Sequence, residues 1–252
     1  MNIRVAHLYP AYLNIYADRG NIAVLERRAA LRQHSLEVTA VEPGLVIDFD
    51  AVDLVYVGGG QDREQAMIAP DLATRADAIA SAVENGAALL AVCGGYQLLG
   101  RGYRGRDGTF LAGTGLFPHV TDAGETRMIG DILLECALEP DRPSISVVGF
   151  ENHAGRTRLD PGATPLGRVV SGYGNDGESG MEGCLVRRAI GTYLHGPLLP
   201  RNPQLADTVL RWALEHRTGA SVDDLSPLSD VHEGRAHAVS ASRARSRGGR
   251  PA

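Results

Sequence analysis

The stretch that decides the fold is Ala87-Ala-Leu-Leu-Ala-Val-Cys-Gly-Gly-Tyr-Gln-Leu-Leu99, in the first half of the chain. Its first six residues form a continuous apolar run, which is typical of a strand buried on both faces of a parallel sheet. Two glycines follow Cys93 at once, and Tyr96 begins a short helix-like segment. The stretch therefore predicts a buried strand that turns sharply into a helix, with a cysteine at the turn.

The segments around this stretch alternate between strand-like and helix-like patterns. We predict strands at residues 3–8, 36–41 and 52–57, and helices at residues 21–32 and 70–84. This alternation predicts an α/β fold, with a mostly parallel central sheet and helices on both faces. Short strand-like runs and glycine-rich turns from residue 101 to about residue 183 predict added antiparallel hairpins. A last core strand at residues 189–195 and a closing helix at residues 202–216 complete the prediction.

The composition is that of an ordinary globular chain: 252 residues, of which 44% are hydrophobic and 22% are charged. This length and hydrophobicity exclude a fibrous or wholly disordered protein. We predict one domain over residues 1–217. After Gly219 the composition changes to serine, alanine, glycine and arginine, so we predict a disordered C-terminal tail at residues 218–252.

Charge and residue usage exclude several classes of function. The net charge of −5 and a pI near 5.9 disfavour nucleic acid as a partner. No long apolar run or signal segment is visible, so we predict a cytoplasmic chain that does not span a membrane. All 25 basic residues are arginine, which excludes a Schiff-base lysine and a lysine-containing phosphate loop. Three scattered cysteines predict neither a disulfide framework nor a metal site.

Cys93 has the sequence surroundings of a nucleophile. Glycines at 94 and 95 permit a strained strand-to-helix turn that exposes the thiol, and the start of a helix favours a thiolate. The alternative is a buried cysteine beside glycines that serve packing alone. His195 ends the last predicted core strand and would lie at the same sheet edge, as would Gly58-Gly-Gly60. The alternative for His195 is a surface histidine, and the alternative for the three glycines is a simple turn.

The run from Ala91 to Gly100 resembles the nucleophile elbow of class I glutamine amidotransferases, whose pattern is G-x-C-x-G-x-Q. Its Cys-Gly-Gly-Tyr-Gln form resembles the CobB/CobQ-like branch, which includes cobyric acid synthases. The segments Leu8–Ile22 and Gly58–Gln65 are similar to the GatD family, the amidotransferase subunits of lipid II isoglutaminyl synthases. The resemblance covers about residues 1–217.

The resemblance implies a flavodoxin-like amidotransferase fold and glutamine hydrolysis by a cysteine–histidine pair. Cys93 would be the nucleophile, and His195 would be the base toward the thiol and the acid toward departing ammonia. Arg127 would bind the carboxylate of glutamine. The backbone N–H groups of Gly94 and of Gly59 or Gly60 would bind the oxyanion. Gln97 is also implied in substrate binding. His153 follows a family-like Phe-Glu-Asn run, and it either lines the glutamine pocket or caps a strand. His7 is expected in the core or behind the site.

The resemblance also implies partners. A Mur-ligase-like subunit of the MurT type would bind ATP and Mg²⁺ and receive ammonia, whereas this chain would hold L-glutamine and no cofactor of its own. Lipid II would meet the complex through the ligase, at the inner face of the membrane. Two other functions stay open: amidation of a cobyrinic-acid-type acceptor, and a noncatalytic scaffold domain.

Two residues depart from the usual family pattern. Pro197 stands where most class I enzymes carry a glutamate two residues after the histidine, and Ala91 replaces a glycine. The carboxylate that orients His195 is therefore expected from another position or from the partner. The isolated chain is accordingly expected to be a poor glutaminase.

Overall fold

The computed structural model describes residues 1–15 and 19–247. Five parallel strands form the centre of the fold, and their bounds are β1 Asn2–Leu8, β2 Ser35–Val41, β3 Leu54–Val57, β4 Ala88–Val92 and β12 Ala189–Thr192. They lie in the order β2-β1-β3-β4-β12, which is the order of flavodoxin-like sheets. An antiparallel edge strand, β11 at Cys184–Val186, pairs with β12. The α/β fold with a mostly parallel sheet is confirmed.

Helices flank this sheet, and their bounds are α1 Arg19–Ala30, α2 Asp62–Thr74, α3 Ala76–Glu84, α4 Gly94–Leu99 and α5 Pro203–Thr218. Helix α1 contacts α5, and α2 contacts α4. The connection from β1 to β2 and the connection from β3 to β4 run in opposite directions across the sheet. Because such crossovers are right-handed, they place the two helix pairs on opposite faces of the sheet. Every residue of β3 and β4 is buried between them.

A second sheet carries the predicted hairpins. Its strands are β5 Gly102–Arg104, β6 Phe110–Ala112, β7 His119–Cys136, β8 Ile145–Leu159, β9 Gly167–Ser171 and β10 Met181–Glu182. All pairings are antiparallel except β5 with β7. The two sheets meet where the backbones of Phe150 and His195 exchange two hydrogen bonds, of 2.9 and 3.2 Å. This contact joins the second sheet to the chain that leaves β12.

The predicted helix start at Pro70 is wrong. Helix α2 begins at Asp62, and Pro70 lies inside it. Acidic Asp62 and Glu64 suit the first turn of a helix. An interior proline costs a hydrogen bond and a steric clash, which the burial of Ile68, Ala69 and Leu72 around it offsets. The helix ends at Thr74, one turn after the proline. The prediction of a strand that reaches His195 is also too long, since β12 ends at Thr192.

The predicted disorder of the tail 218–252 is contradicted over Val231–Arg247, which form a helix, α6, whereas residues 248–252 of that prediction lie outside the described residues. Helix α5 ends at Thr218, with Gly219 in the left-handed conformation at φ 65°. Beyond it, Asp230 bonds the guanidinium of Arg28 at 2.6 Å. The buried Ala241 and Ala244 of α6 pack on Leu133 and Val148 of the second sheet. The composition was misleading because alanine and arginine favour helices, and small side chains allow close packing without large apolar residues.

The packing of α6 can be tested by introducing a charge on each side of the helix. We expect Ala244→Glu to lower the free energy of unfolding by about 1–3 kcal/mol, because Ala244 is fully buried and a carboxylate there would lack a partner. The matched control is Ser246→Glu, since Ser246 is exposed on the same helix. Urea unfolding curves of the two variants should differ. Equal midpoints would mean that α6 does not pack on the sheet in solution.

Among the described residues, no helix is both long enough and apolar enough to cross a membrane.

Candidate active site

Cys93 occupies the sharp turn between β4 and α4. Its backbone has φ 49° and ψ −105°, a conformation that costs free energy for a residue with a Cβ and is characteristic of nucleophile elbows. The turn is held from both sides, because the Cys93 N–H donates to Thr192 O at 2.8 Å and the Cys93 carbonyl accepts from Gln97 N at 2.9 Å. These bonds fix Cys93 at the carboxyl edge of the parallel sheet, but only 6% of its surface is exposed, so the predicted exposure of this residue is wrong.

The glycines beside the turn are required by close backbone approach. A Cβ on Gly94 would lie 2.8 Å from the backbone N and O atoms of Gly60, and a Cβ on Gly95 would lie 2.7 Å from Val57 Cγ1. Gly94 is the first residue of α4, so its N–H has no partner within the helix. Gly60 follows β3, the strand beside β4. The two backbone segments that are predicted to bind the oxyanion, at Gly60 and at Gly94, therefore pack against each other.

A cavity of about 630 Å³ opens at this edge of the sheet. Its walls contain four of the predicted site residues: Cys93, Gly60, Gln97 and Arg127. The other three predicted residues, Gly59, Gly94 and His195, are not part of its lining. Gly59 and Gly94 are sequence neighbours of lining residues. His195 lies one strand away from Cys93, as described below.

Gln97 links the elbow to its surroundings with both ends of its amide. Its Oε1 accepts a hydrogen bond from Gln65 Nε2 at 2.9 Å, and its Nε2 donates to Tyr193 Oη at 3.1 Å. Gln65 Nε2 also lies 3.2 Å from the carbonyl of Gly60. Gln97 therefore connects three parts of the chain through hydrogen bonds. These are its own helix α4, the segment that follows β3, and the segment that follows β12. Its expected contact with substrate stays a prediction.

Arg127 reaches the cavity from the second sheet. It lies where β7 is irregular, since the pairing with β8 shifts register between Ala123 and Met128, and such bulges redirect side chains. Arg127 Nε donates to Asn152 Oδ1 and its Nη2 donates to Asn152 O, both at 2.8 Å. These bonds use two of the five guanidinium N–H donors. A positive, oriented group thus stands in the cavity wall together with Cys93.

His195 is almost fully buried, with 1% of its surface exposed. It follows β12, which pairs in parallel with β4 so that Thr192 lies opposite Val92. The chains that leave these two strands carry His195 and Cys93 at the same sheet edge. Tyr193, two residues earlier, stacks on His153 with ring centroids 3.6 Å apart.

The structure distinguishes the alternatives for His153. His153 lies inside β8 and not at its end, and it is one of the residues that line the cavity. Its Nδ1 lies 2.9 Å from Gly155 O. Burial lowers the pKa of His153 to about 3, so this imidazole is neutral at neutral pH. His7 packs edge-on against Tyr56 at 5.1 Å and is buried in the core outside the cavity lining.

The other two cysteines are unsuited to nucleophilic chemistry. Cys136 and Cys184 are fully buried and unbridged. Burial raises the pKa of Cys136 well above its usual range and that of Cys184 to about 12, so neither forms a thiolate near neutral pH. Within residues 1–15 and 19–247, no cluster of three or more histidine, cysteine or acidic side chains could hold a metal ion.

Sequence reasoning missed the side chains that support the site. Gln65, Asn152 and Tyr193 each bond a predicted site residue or its neighbour, yet none stands in the elbow motif. The signal for Gln65 was its place in the glycine-rich segment after β3, and that for Asn152 was the Phe-Glu-Asn-His run. Tyr193 had only its position two residues before His195.

Comparison with known proteins places the chain among relatives of the predicted kind. Residues 4–203 match the CobB/CobQ-like glutamine amidotransferase domain. The chain is 40% identical to the lipid II isoglutaminyl synthase (glutamine-hydrolyzing) subunit GatD of Staphylococcus aureus, over 85% of this chain and 86% of that protein. It is 38% identical to the subunit of the same name from Streptococcus pneumoniae, over 87% and 84% of the two chains.

A solved structure supports the fold. PurLQS from Thermotoga maritima matches with a TM-score of 0.57, covering 87% of this chain and 99% of that one, at 15% sequence identity. This similarity concerns the arrangement of strands and helices alone. Together with the family match over residues 4–203 and the elbow at Cys93, it leads to one conclusion: the chain belongs to the CobB/CobQ-like glutamine amidotransferase family.

Proposed function

We propose that this chain hydrolyses L-glutamine and delivers the ammonia to an ATP-dependent, MurT-like ligase, which converts D-glutamate in lipid II to D-isoglutamine. The observation that carries the glutaminase step is the strained turn at Cys93, which faces the cavity with the backbones of Gly94 and Gly60 packed together beside it. The acceptor is proposed from the two relatives that are subunits of lipid II isoglutaminyl synthases.

The first half of the reaction forms a thioester. Cys93 Sγ attacks the carboxamide carbon of glutamine, and His195 takes the thiol proton. The carbonyl oxygen becomes an oxyanion that the N–H groups of Gly94 and of Gly59 or Gly60 stabilise. His195 then returns the proton to the amide nitrogen, the carbon–nitrogen bond breaks, and ammonia leaves.

The second half restores the enzyme. A water molecule loses a proton to His195 and attacks the thioester carbon. The carbon–sulfur bond breaks, glutamate departs, and the thiolate of Cys93 regains its proton. The sum is glutamine and water converted to glutamate and ammonia, with no cofactor consumed in this chain.

Arg127 is proposed to hold the α-carboxylate of glutamine. Asn152 already orients its guanidinium through two hydrogen bonds, and a planar guanidinium grips a carboxylate at two points. Placing this group in the same cavity wall as Cys93 would fix the distance between the carboxylate and the carboxamide carbon. Substrates of that length would be favoured over shorter ones.

ATP is proposed to bind to the partner. The chain contains no lysine for a phosphate loop, whereas amidation of a carboxylate requires activation by ATP. The partner would supply ATP, Mg²⁺ and the lipid II site.

The test is glutamate release from glutamine by this chain, alone and with the MurT-like ligase, ATP and lipid II. We expect weak release by the chain alone, a strong rise with the ligase, and amidated lipid II by mass spectrometry. Glutamate release without lipid II amidation, but with amidation of a cobyrinic-acid-type acceptor, would support the second candidate, which the CobB/CobQ-like family match favours. No glutamate release in either preparation would support a noncatalytic scaffold.

A further inference from the structure

Asp62 is a charged side chain in the wall of the cavity that contains Cys93, and the steps proposed above do not use it. It is the first residue of α2 and comes two positions after Gly60, beside the predicted oxyanion segment. Among the described residues that line this cavity, Asp62 is the one with a carboxylate. The other charged residues of the lining are Arg63 and Arg127. A single negative charge therefore borders the space in which glutamine is proposed to bind.

The carboxylate of Asp62 is oriented by Tyr103, which belongs to β5 of the second sheet. Tyr103 Oη donates to Asp62 Oδ2 at 3.2 Å. Burial, together with the negative charge of Asp62, raises the pKa of Tyr103 to about 12, so this hydroxyl keeps its proton and stays a donor. A carboxylate has about four sites that can accept a hydrogen bond. One bond from a neutral hydroxyl thus leaves most of the acceptor capacity of Asp62 available.

Arg127 carries the opposite charge in the same cavity wall, and its partner is also neutral. Its two hydrogen bonds go to Asn152, which leaves three guanidinium N–H donors available. Within residues 1–15 and 19–247, neither Asp62 nor Arg127 forms an ion pair. Both side chains also line an adjoining cavity of about 580 Å³, so they stand together at the boundary of the two spaces. The protein presents two opposite charges here without neutralising them.

An α-amino acid is the class of ligand whose charges match this arrangement. At neutral pH it carries a carboxylate and an ammonium group on the same carbon atom. A guanidinium binds the carboxylate at two points, which brings the ammonium group close to the positive charge of Arg127. Like charges at short distance repel each other, and a carboxylate beside them offsets the repulsion. Asp62 is the lining residue that can supply this negative charge.

We propose that Asp62 binds the α-ammonium group of L-glutamine while Arg127 binds its α-carboxylate. Asp62 is then a specificity-determining residue, because it favours an α-amino acid over an amide that lacks the amino group. The inference rests on the proposed glutaminase function and adds one residue to it. Asp62 takes no part in the covalent steps at Cys93, so the loss of its charge should weaken binding of glutamine more than the chemical step.

A purely structural role for Asp62 leads to a different expectation. An acidic side chain in the first turn of α2 stabilises the helix through its dipole, and this effect does not depend on which substrate is bound. Glu64 lies in the same turn and is absent from the lining of both cavities. Substitutions at Asp62 and at Glu64 therefore separate a substrate contact from a helix effect.

The test compares two amides as substrates of the complex of this chain with its ligase. They are L-glutamine and glutaramate, which has the same carboxylate and carboxamide but no α-amino group. Ammonia release gives kcat/KM for each, and we expect the wild type to prefer glutamine about tenfold or more, the usual contribution of a charge-assisted hydrogen bond. In Asp62→Asn, kcat/KM for glutamine should fall about tenfold, mainly through KM, whereas kcat/KM for glutaramate should stay within about threefold.

Glu64→Gln is the matched control, and it should keep the wild-type preference for glutamine over glutaramate. Equal losses on both amides in Asp62→Asn would indicate a structural role and overturn the inference, as would an unchanged preference. If Asp62→Asn does not fold, the wild type decides, because equal kcat/KM values for the two amides would overturn the inference without any variant. A wild-type complex that releases no ammonia from glutamine would instead overturn the proposed glutaminase function.

Discussion

Replacing Cys93 with alanine is expected to reduce glutamate release at least about a thousandfold, because the thiol is the atom that forms the covalent intermediate. The fold should survive. Alanine retains the Cβ that already tolerates φ 49° at this turn, and the two backbone hydrogen bonds of residue 93 do not involve the side chain. Steady-state glutamate release by the complex with its ligase measures the activity, and urea unfolding measures the stability.

The matched control is Cys184→Ala, which removes a buried thiol elsewhere in the fold and should keep most of the activity. A glutamine-analogue electrophile should label Cys93 and leave Cys136 and Cys184 unmodified, because burial keeps those two thiols protonated. Wild-type rates in Cys93→Ala, or equal labelling of all three cysteines, would favour a noncatalytic domain.

Replacing His195 with glutamine is expected to lower kcat by about 10²- to 10⁴-fold, the usual contribution of a general acid and base. KM for glutamine should change much less, because Arg127 and the backbone of Gly60 line the cavity and His195 does not.

The matched control for this substitution is His232→Gln, on the exposed face of α6. It should leave kcat unchanged. If His195→Gln retained kcat within a factor of two or three, another base would have to serve Cys93. His153 would then be a poor candidate, because burial lowers its pKa to about 3 and the ring would hold a proton weakly.

Much of the central sheet was predictable from local patterns. The apolar run before Cys93 forms β4 with every residue buried, and the turn at Asn85-Gly86 ends α3, with Gly86 at φ 102°. The wrong predictions of secondary structure concern segments whose sequence signals are ambiguous. Pro70 commonly marks a helix start, yet here it lies inside α2. The alanine- and arginine-rich C-terminal segment resembles a disordered composition, yet α6 packs on Leu133 and Val148.

The predicted site was recovered unevenly. Cys93, Gly60, Gln97 and Arg127 share one cavity wall, although Arg127 comes from a different sheet. The amide of Gln97 bonds Gln65 and Tyr193, a network that no motif indicated.

Sequence alone established the α/β class, the parallel sheet and the position of the nucleophile candidate, because burial periodicity and glycine-dependent turns are local properties of neighbouring residues. The tertiary structure decided which distant groups support that turn. Gln65 meets Gln97 across 32 positions, and Glu182 meets Tyr193 only because β11 folds back antiparallel onto β12. Such contacts depend on strand order, register and crossover direction, which are set by packing the whole chain and leave no trace in any short stretch of sequence.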